Sequence, residues 1–68
     1  MMEISGKDAR NEGFRLCGMP GVRGRYGSKS TRNILAECAF IMRNGVGYTI
    51  KSKSIGAEIY EVWAEEIK

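Results

Sequence analysis

At sixty-eight residues, 43% hydrophobic and 28% charged, the chain is large enough for one small domain and too small for a multidomain enzyme. No apolar run approaches the ~18 residues of a membrane span, and Met-Met-Glu-Ile-Ser lacks the apolar core of a signal peptide, so a cytoplasmic chain with no membrane partner is expected. Histidine is absent and Cys17 and Cys38 stand alone, which falls short of a zinc ligand set. No metal and no cofactor are expected, and the cysteines are read as small reduced core residues.

The net charge of +3 conceals an uneven distribution. From Met1 to Lys53 ten Lys or Arg face four acids, whereas from Ser54 to Lys68 four glutamates face Lys68 alone. Between Gly13 and Ala36 there is no acid, while Arg15, Arg23, Arg25, Lys29 and Arg32 all fall there. A stretch of one sign attracts polyanions. The plain alternative is a solvated basic loop.

In chain order, Met1 to Ile4 is either a short strand or a frayed end. Ser5 opens a short helix as its N-cap, with Asp8 three residues on, and Gly13 is expected to stop it. Phe14 and Leu16 follow as core anchors. Residues 17–29 form a flexible, basic, glycine-rich loop within a single domain. Gly21 to Ser30 misses the phosphate-loop spacing, because five residues separate Gly21 from Gly27 and Ser28 precedes Lys29. Arg23 and Arg25 suit a loop lying along a phosphate backbone. Tyr26 either stacks on a base or packs inward.

The main helix is expected over about 30–44, with Ser28, Ser30 or Thr31 as N-cap and Asn44-Gly45 as its end. Ile34, Leu35, Cys38, Ile41 and Met42 share its apolar face; Lys29, Arg32, Ala36, Ala39 and Arg43 lie opposite. Arg32 and Asn33, near its start, are side chains suited to guanine and adenine edges. Phe40 falls on the polar side of this wheel. It would pack under the C-terminal segment, meet a second subunit, or touch a thymine methyl.

After Gly45 the period changes to two. Val46, Tyr48 and Ile50 alternate with Gly47, Thr49 and Lys51, and a hairpin over about 46–63 is expected, with Lys51 and Lys53 leading to a turn at Ser54–Ala57. Ile55, Ile59, Val62, Trp63 and Ile67 also cluster at helical spacing, but enrichment in Ile, Tyr, Val and Trp favours strand.

Ile34, Leu35, Ile41 and Met42 on one helix, the glycine exit, Gly47-Tyr48-Thr49-Ile50-Lys51 and the return Ile59-Tyr60-Glu61-Val62 together resemble the end of a winged helix-turn-helix domain of small phage and mobile-element proteins, with Ser5 to Gly13 as a preceding helix. The usual first helix is missing, and a glycine-rich loop replaces the tight turn. The resemblance implies an α+β, winged-helix-like fold. It also implies a small regulatory or accessory DNA-binding protein. RNA is the other candidate nucleic acid, and because a module of this size buries limited surface, a homodimer or larger complex is expected to supply affinity. Ser30, Arg32, Asn33 and Arg43 would approach DNA, with Lys51 and Lys53 on the wing. Arg23, Arg25 and Lys29 complete the basic set.

A second expectation is a phage-type inhibitor or adaptor that docks on a host protein through Phe40 and the Tyr60/Trp63 segment, since aromatic anchors dominate such interfaces. Catalysis is not expected. There is no activated nucleophile pair, and neither cysteine has an obvious base.

Overall fold

The first helix, α1, spans Gly6–Cys17 and forms because Ala9, Gly13, Leu16 and Cys17 fall on one stripe, all buried. Ser5 is its N-cap, as the sequence predicts: the Ser5 hydroxyl accepts a hydrogen bond from the Asp8 N–H at 3.3 Å. Gly13 does not end the helix. A Cβ there would lie 2.7 Å from both Cβ and Sγ of Cys38 and 3.0 Å from Cδ1 of Ile41. The glycine is kept for close approach, and the helix runs a further turn to its cap at Gly18. Phe14, expected in the core, is 46% exposed, whereas Leu16 is fully buried.

The computed structural model describes residues 4–19 and 21–67; the expectation for Met1 to Glu3 lies outside them. After α1 come β1 (Gly24–Gly27), α2 (Ser28–Glu37), β2 (Phe40–Arg43), β3 (Val46–Gly56) and β4 (Ile59–Glu66). The expected α+β class holds. The described residues form two helices and one antiparallel sheet in the order β1-β4-β3-β2.

Several local expectations are corrected. The glycine-rich segment is not loop throughout: Gly24 to Gly27 pair with Val62 to Ile59 as an edge strand. Tyr26 therefore packs inward at 3% exposure. The main helix ends at Glu37 rather than near Asn44, and its N-cap is Gly27 rather than a hydroxyl residue. Phe40 to Arg43 instead pair with Thr49 to Val46. Asn44 and Gly45, both at positive φ (54° and 79°), are the two-residue turn of that hairpin and not a helix stop. The hairpin expected over about 46–63 is present and longer, with its turn displaced to Ala57-Glu58. The C-terminal stretch is strand, and the register slips by one residue between Ser54 and Gly56.

Both helices cover one face of the sheet. Tyr26, Ile50, Val62 and Ala64 point toward them and join Ala9, Leu16, Cys17, Ile34 and Cys38 in the core, with Ile4, Leu35, Ile41 and Tyr48 at its margin. Cys38 donates its thiol proton to the Ala9 carbonyl at 3.3 Å, and both cysteines are free and buried.

A polar cluster ties α1 to β1. Arg15 bonds Glu12 through Nε at 2.6 Å, and the Tyr26 hydroxyl donates to the same carboxylate while accepting from Arg15. The Arg15 hydrogen bond holds the Glu12 carboxyl below its ordinary value of 4.5, against the opposing effect of burial. A carboxyl held low in the folded state stabilises it above that ordinary value, and the contribution is lost as pH falls below it through the lowered folded-state value. Thermal melts should therefore show stability dropping below about pH 4.5, with the drop smaller in Glu12→Gln.

Gly13→Ala provides the sharper test of the helix contact. Alanine favours an isolated helix by roughly 1 kcal/mol, but overpacking costs about 1–3 kcal/mol. A net loss of up to about 2 kcal/mol in denaturant unfolding is expected; a gain would show that the helices do not meet this closely.

Candidate functional site

Strand alternation leaves the second face of the sheet uncovered. One row across it reads Arg25, Glu61, Lys53; the next pairs Trp63 with Lys51; a third aligns Glu65, Thr49 and Phe40; Gly47 and Met42 complete it. Residues two apart on one strand stand about 7 Å apart on the same face. Lys51 and Lys53 therefore form a short basic ladder beside Trp63. Toward β2 the surface becomes apolar: Phe40 is 61% and Met42 55% exposed. Gly47 leaves room for the Phe40 ring, whose edge would lie 3.3 Å from a Cβ at that position.

Trp63 sits in a built setting. The Arg23 guanidinium lies over its ring, 4.2 Å from the centroid. Glu61 fixes Arg23 by an ion pair at 3.2 Å, and the indole N–H donates to Glu65 at 2.9 Å. The loop arginine is thus parked on the sheet as a cation–π lid, worth on the order of 1 kcal/mol at an exposed site.

The basic residues expected to act together are separated by the fold. Arg23, Arg25, Lys51 and Lys53 share the open face. Lys29 and Arg32 are exposed on α2, across the domain. Arg43 lies on β2, not on a helix. Its guanidinium donates to the Phe14 carbonyl at 2.6 Å and stacks 4.4 Å from the Phe14 ring centroid, so it closes the end of α1. Ser30 is fully buried and its hydroxyl accepts from the Ile4 N–H at 3.1 Å. Asn33 donates to the Ile4 carbonyl at 2.8 Å. These two side chains hold the segment before α1 against α2 and are not presented to a groove.

The alternative set also divides. Phe40 and Trp63 share the open face, whereas Tyr60 points to the helix side. Phe40 occupies an exposed strand position and does not pack under the C-terminal segment. Sequence reasoning missed Met42 and Thr49 as members of this face. The signal was present: Asn-Gly flanked by alternating apolar residues is a strong short-range hairpin pattern.

The thiols offer little chemistry. Burial pushes both Cys17 and Cys38 up from their ordinary range, away from the reactive thiolate. Among the described residues no three His, Cys, Asp or Glu side chains cluster as metal ligands, and no helix is long and apolar enough to cross a membrane. No protein-family model, curated protein or solved structure matches the chain.

Arg23→Ala should uncover the indole. Acrylamide quenching of Trp63 fluorescence is expected to rise and the emission to move to longer wavelength, with stability changed by less than about 1 kcal/mol. Unchanged quenching would show that Arg23 does not cover the ring in solution.

Proposed function

We propose that this chain is a nucleic-acid-binding protein that engages a single DNA strand on the open face of its sheet. The observation that carries the reading is the juxtaposition of Lys51, Lys53 and Arg25 with Trp63 and Phe40 on one uncovered surface. Single-stranded binding combines a cationic track for phosphates with aromatic side chains on which bases stack. Here the lysines and Arg25 supply the track and Phe40 supplies an exposed ring. Trp63 becomes available when Arg23 moves from its ring to a phosphate. RNA meets the same chemistry, because neither stacking nor phosphate contact requires a missing 2′-hydroxyl.

Within this reading the β3–β4 hairpin, carrying Lys51 and Lys53, takes the part played by the wing in winged helix-turn-helix proteins. Helix insertion into a groove is the less supported mode. With Ser30 and Asn33 turned inward, α2 offers Lys29, Arg32 and Ala36 outward. The role is that of a regulatory or accessory binder without catalytic chemistry. A protein partner is the second reading, favoured by the exposed Phe40 and Met42 side by side; Tyr60, on the other face, is no part of that surface.

The test is fluorescence anisotropy with a labelled oligothymidylate of about 15 nucleotides, repeated with a duplex, over a salt series. Binding should be tighter to the single strand and weaken with a log–log slope of about −0.7 per phosphate contact. Lys51→Ala/Lys53→Ala should flatten the slope by about 1.4. Trp63→Leu should weaken binding by roughly 5- to 100-fold, the range of one lost base stack. Absence of binding at low salt, in protein whose melt is normal, would overturn the reading and send the search to protein partners through Phe40.

A further inference from the structure

On the helix-covered side, away from the open face, a cleft of about 260 Å³ lies between α2 and the β3–β4 hairpin. Ser28, Thr31, Arg32, Leu35, Ser52 and Tyr60 line it. That lining comprises four hydroxyls, one guanidinium and one aliphatic side chain, with no carboxylate. Two observations distinguish it from an ordinary surface dent. Thr31 is only 3% exposed, yet its Oγ1 is buried without a hydrogen-bond partner. Native interiors rarely leave such a group unsatisfied; Thr31 lines the cleft, and rotation about χ1 would turn the hydroxyl to a ligand and put the methyl in its buried place. Arg32, next in sequence, forms no ion pair among the described residues.

We propose that this cleft binds a phosphate monoester. The guanidinium of Arg32 takes two phosphate oxygens in fork geometry. The hydroxyls of Ser28, Thr31 and Ser52 donate to the remaining lone pairs, and Tyr60 donates from the opposite wall. Donors in this number exceed what the two oxygens of a carboxylate need and match the three terminal oxygens of a monoester. The ester substituent rests on Leu35 and the Tyr60 ring. The first N–H of α2, that of Ser28, already bonds the Glu58 carbonyl at 3.1 Å and is not free for the ligand. It does not depend on the nucleic-acid reading, because Ser52 and Tyr60 face away from Lys51, Lys53 and Trp63.

The experiment is an amide-resolved NMR titration of the full chain with phenyl phosphate, then with 5′-phosphorylated and 5′-hydroxyl oligothymidylates. With phenyl phosphate, saturable shifts confined to Ser28, Thr31, Arg32, Leu35, Ser52 and Tyr60 are expected. Arg32→Gln should weaken phenyl phosphate by about tenfold or more, the loss of a charge-assisted pair. Thr31→Val should weaken it by about threefold while leaving the melting temperature equal or higher, because it deletes an unsatisfied hydroxyl and keeps the shape. The phosphorylated oligonucleotide shifting these residues where the hydroxyl form does not identifies a strand end as the source. Phenyl phosphate alone doing so identifies a small phosphorylated molecule. With phenyl phosphate, non-saturating shifts, shifts spread over Lys51, Lys53 and Trp63, or affinity indifferent to Arg32→Gln would overturn the site whatever the outcome at the sheet.

Discussion

The close approach of α1 to the end of α2, at Gly13 against Cys38, is the constraint on which the rest of the architecture hangs. The two backbones come near enough that a single added methyl would collide with Cys38 and Ile41. The Cys38 thiol reaches the Ala9 carbonyl across the same contact. The chain turns at Cys38, whose backbone has left helical geometry, and starts β2 two residues later. The placement of β2 then fixes β3 through the Asn44-Gly45 turn, and β3 fixes β4 by the ladder between them. Mid-helix glycine costs roughly 1 kcal/mol of propensity, a modest cost beside the packing it permits.

Two helices of twelve and ten residues cover one face of the four-stranded sheet and leave the other to solvent. The apolar residues follow that division. Leu16, Ile34 and Val62 are fully buried, while Phe40 and Met42 stand in water. The open face is also where charge is best tolerated. Lys51 and Lys53 lie beyond the end of β2, where the outer edge of β3 has no paired strand, and lysine there discourages edge-to-edge association. The same two side chains thus protect the fold and provide the cationic half of the proposed binding surface.

Some of this is legible in the residues themselves. Ser5 with Asp8 announces the start of α1, since a cap is a contact between residues three apart. The alternation of Val46, Tyr48 and Ile50 announces β3, and the β-rich composition of Ile59 to Trp63 outweighs its helical spacing. The basic character of Arg23, Arg25, Lys51 and Lys53 is evident as well, although their shared face becomes visible only once β1 is paired with β4. Phe40 carried a warning: an aromatic on the polar side of a helical wheel was a sign that the wheel did not apply.

The sequence by itself determined the α+β class, the cap of α1, the long hairpin and the surplus of positive charge, because each rests on neighbours within a few residues. Tertiary structure decided the rest. Gly13 lies inside a helix because of Cys38, twenty-five positions away. Ile41 and Met42 part to opposite faces because Tyr48 and Gly47 pair with them, overriding a period that fits a helix equally well. Ser30 and Asn33 turn from candidate ligand contacts into anchors because Ile4 has backbone groups to satisfy. Arg23 rests on Trp63 because β1 and β4 are adjacent. Local periodicity records which side of an element is apolar. It carries no record of what lies opposite, and at these positions the opposite partner is what selects the conformation.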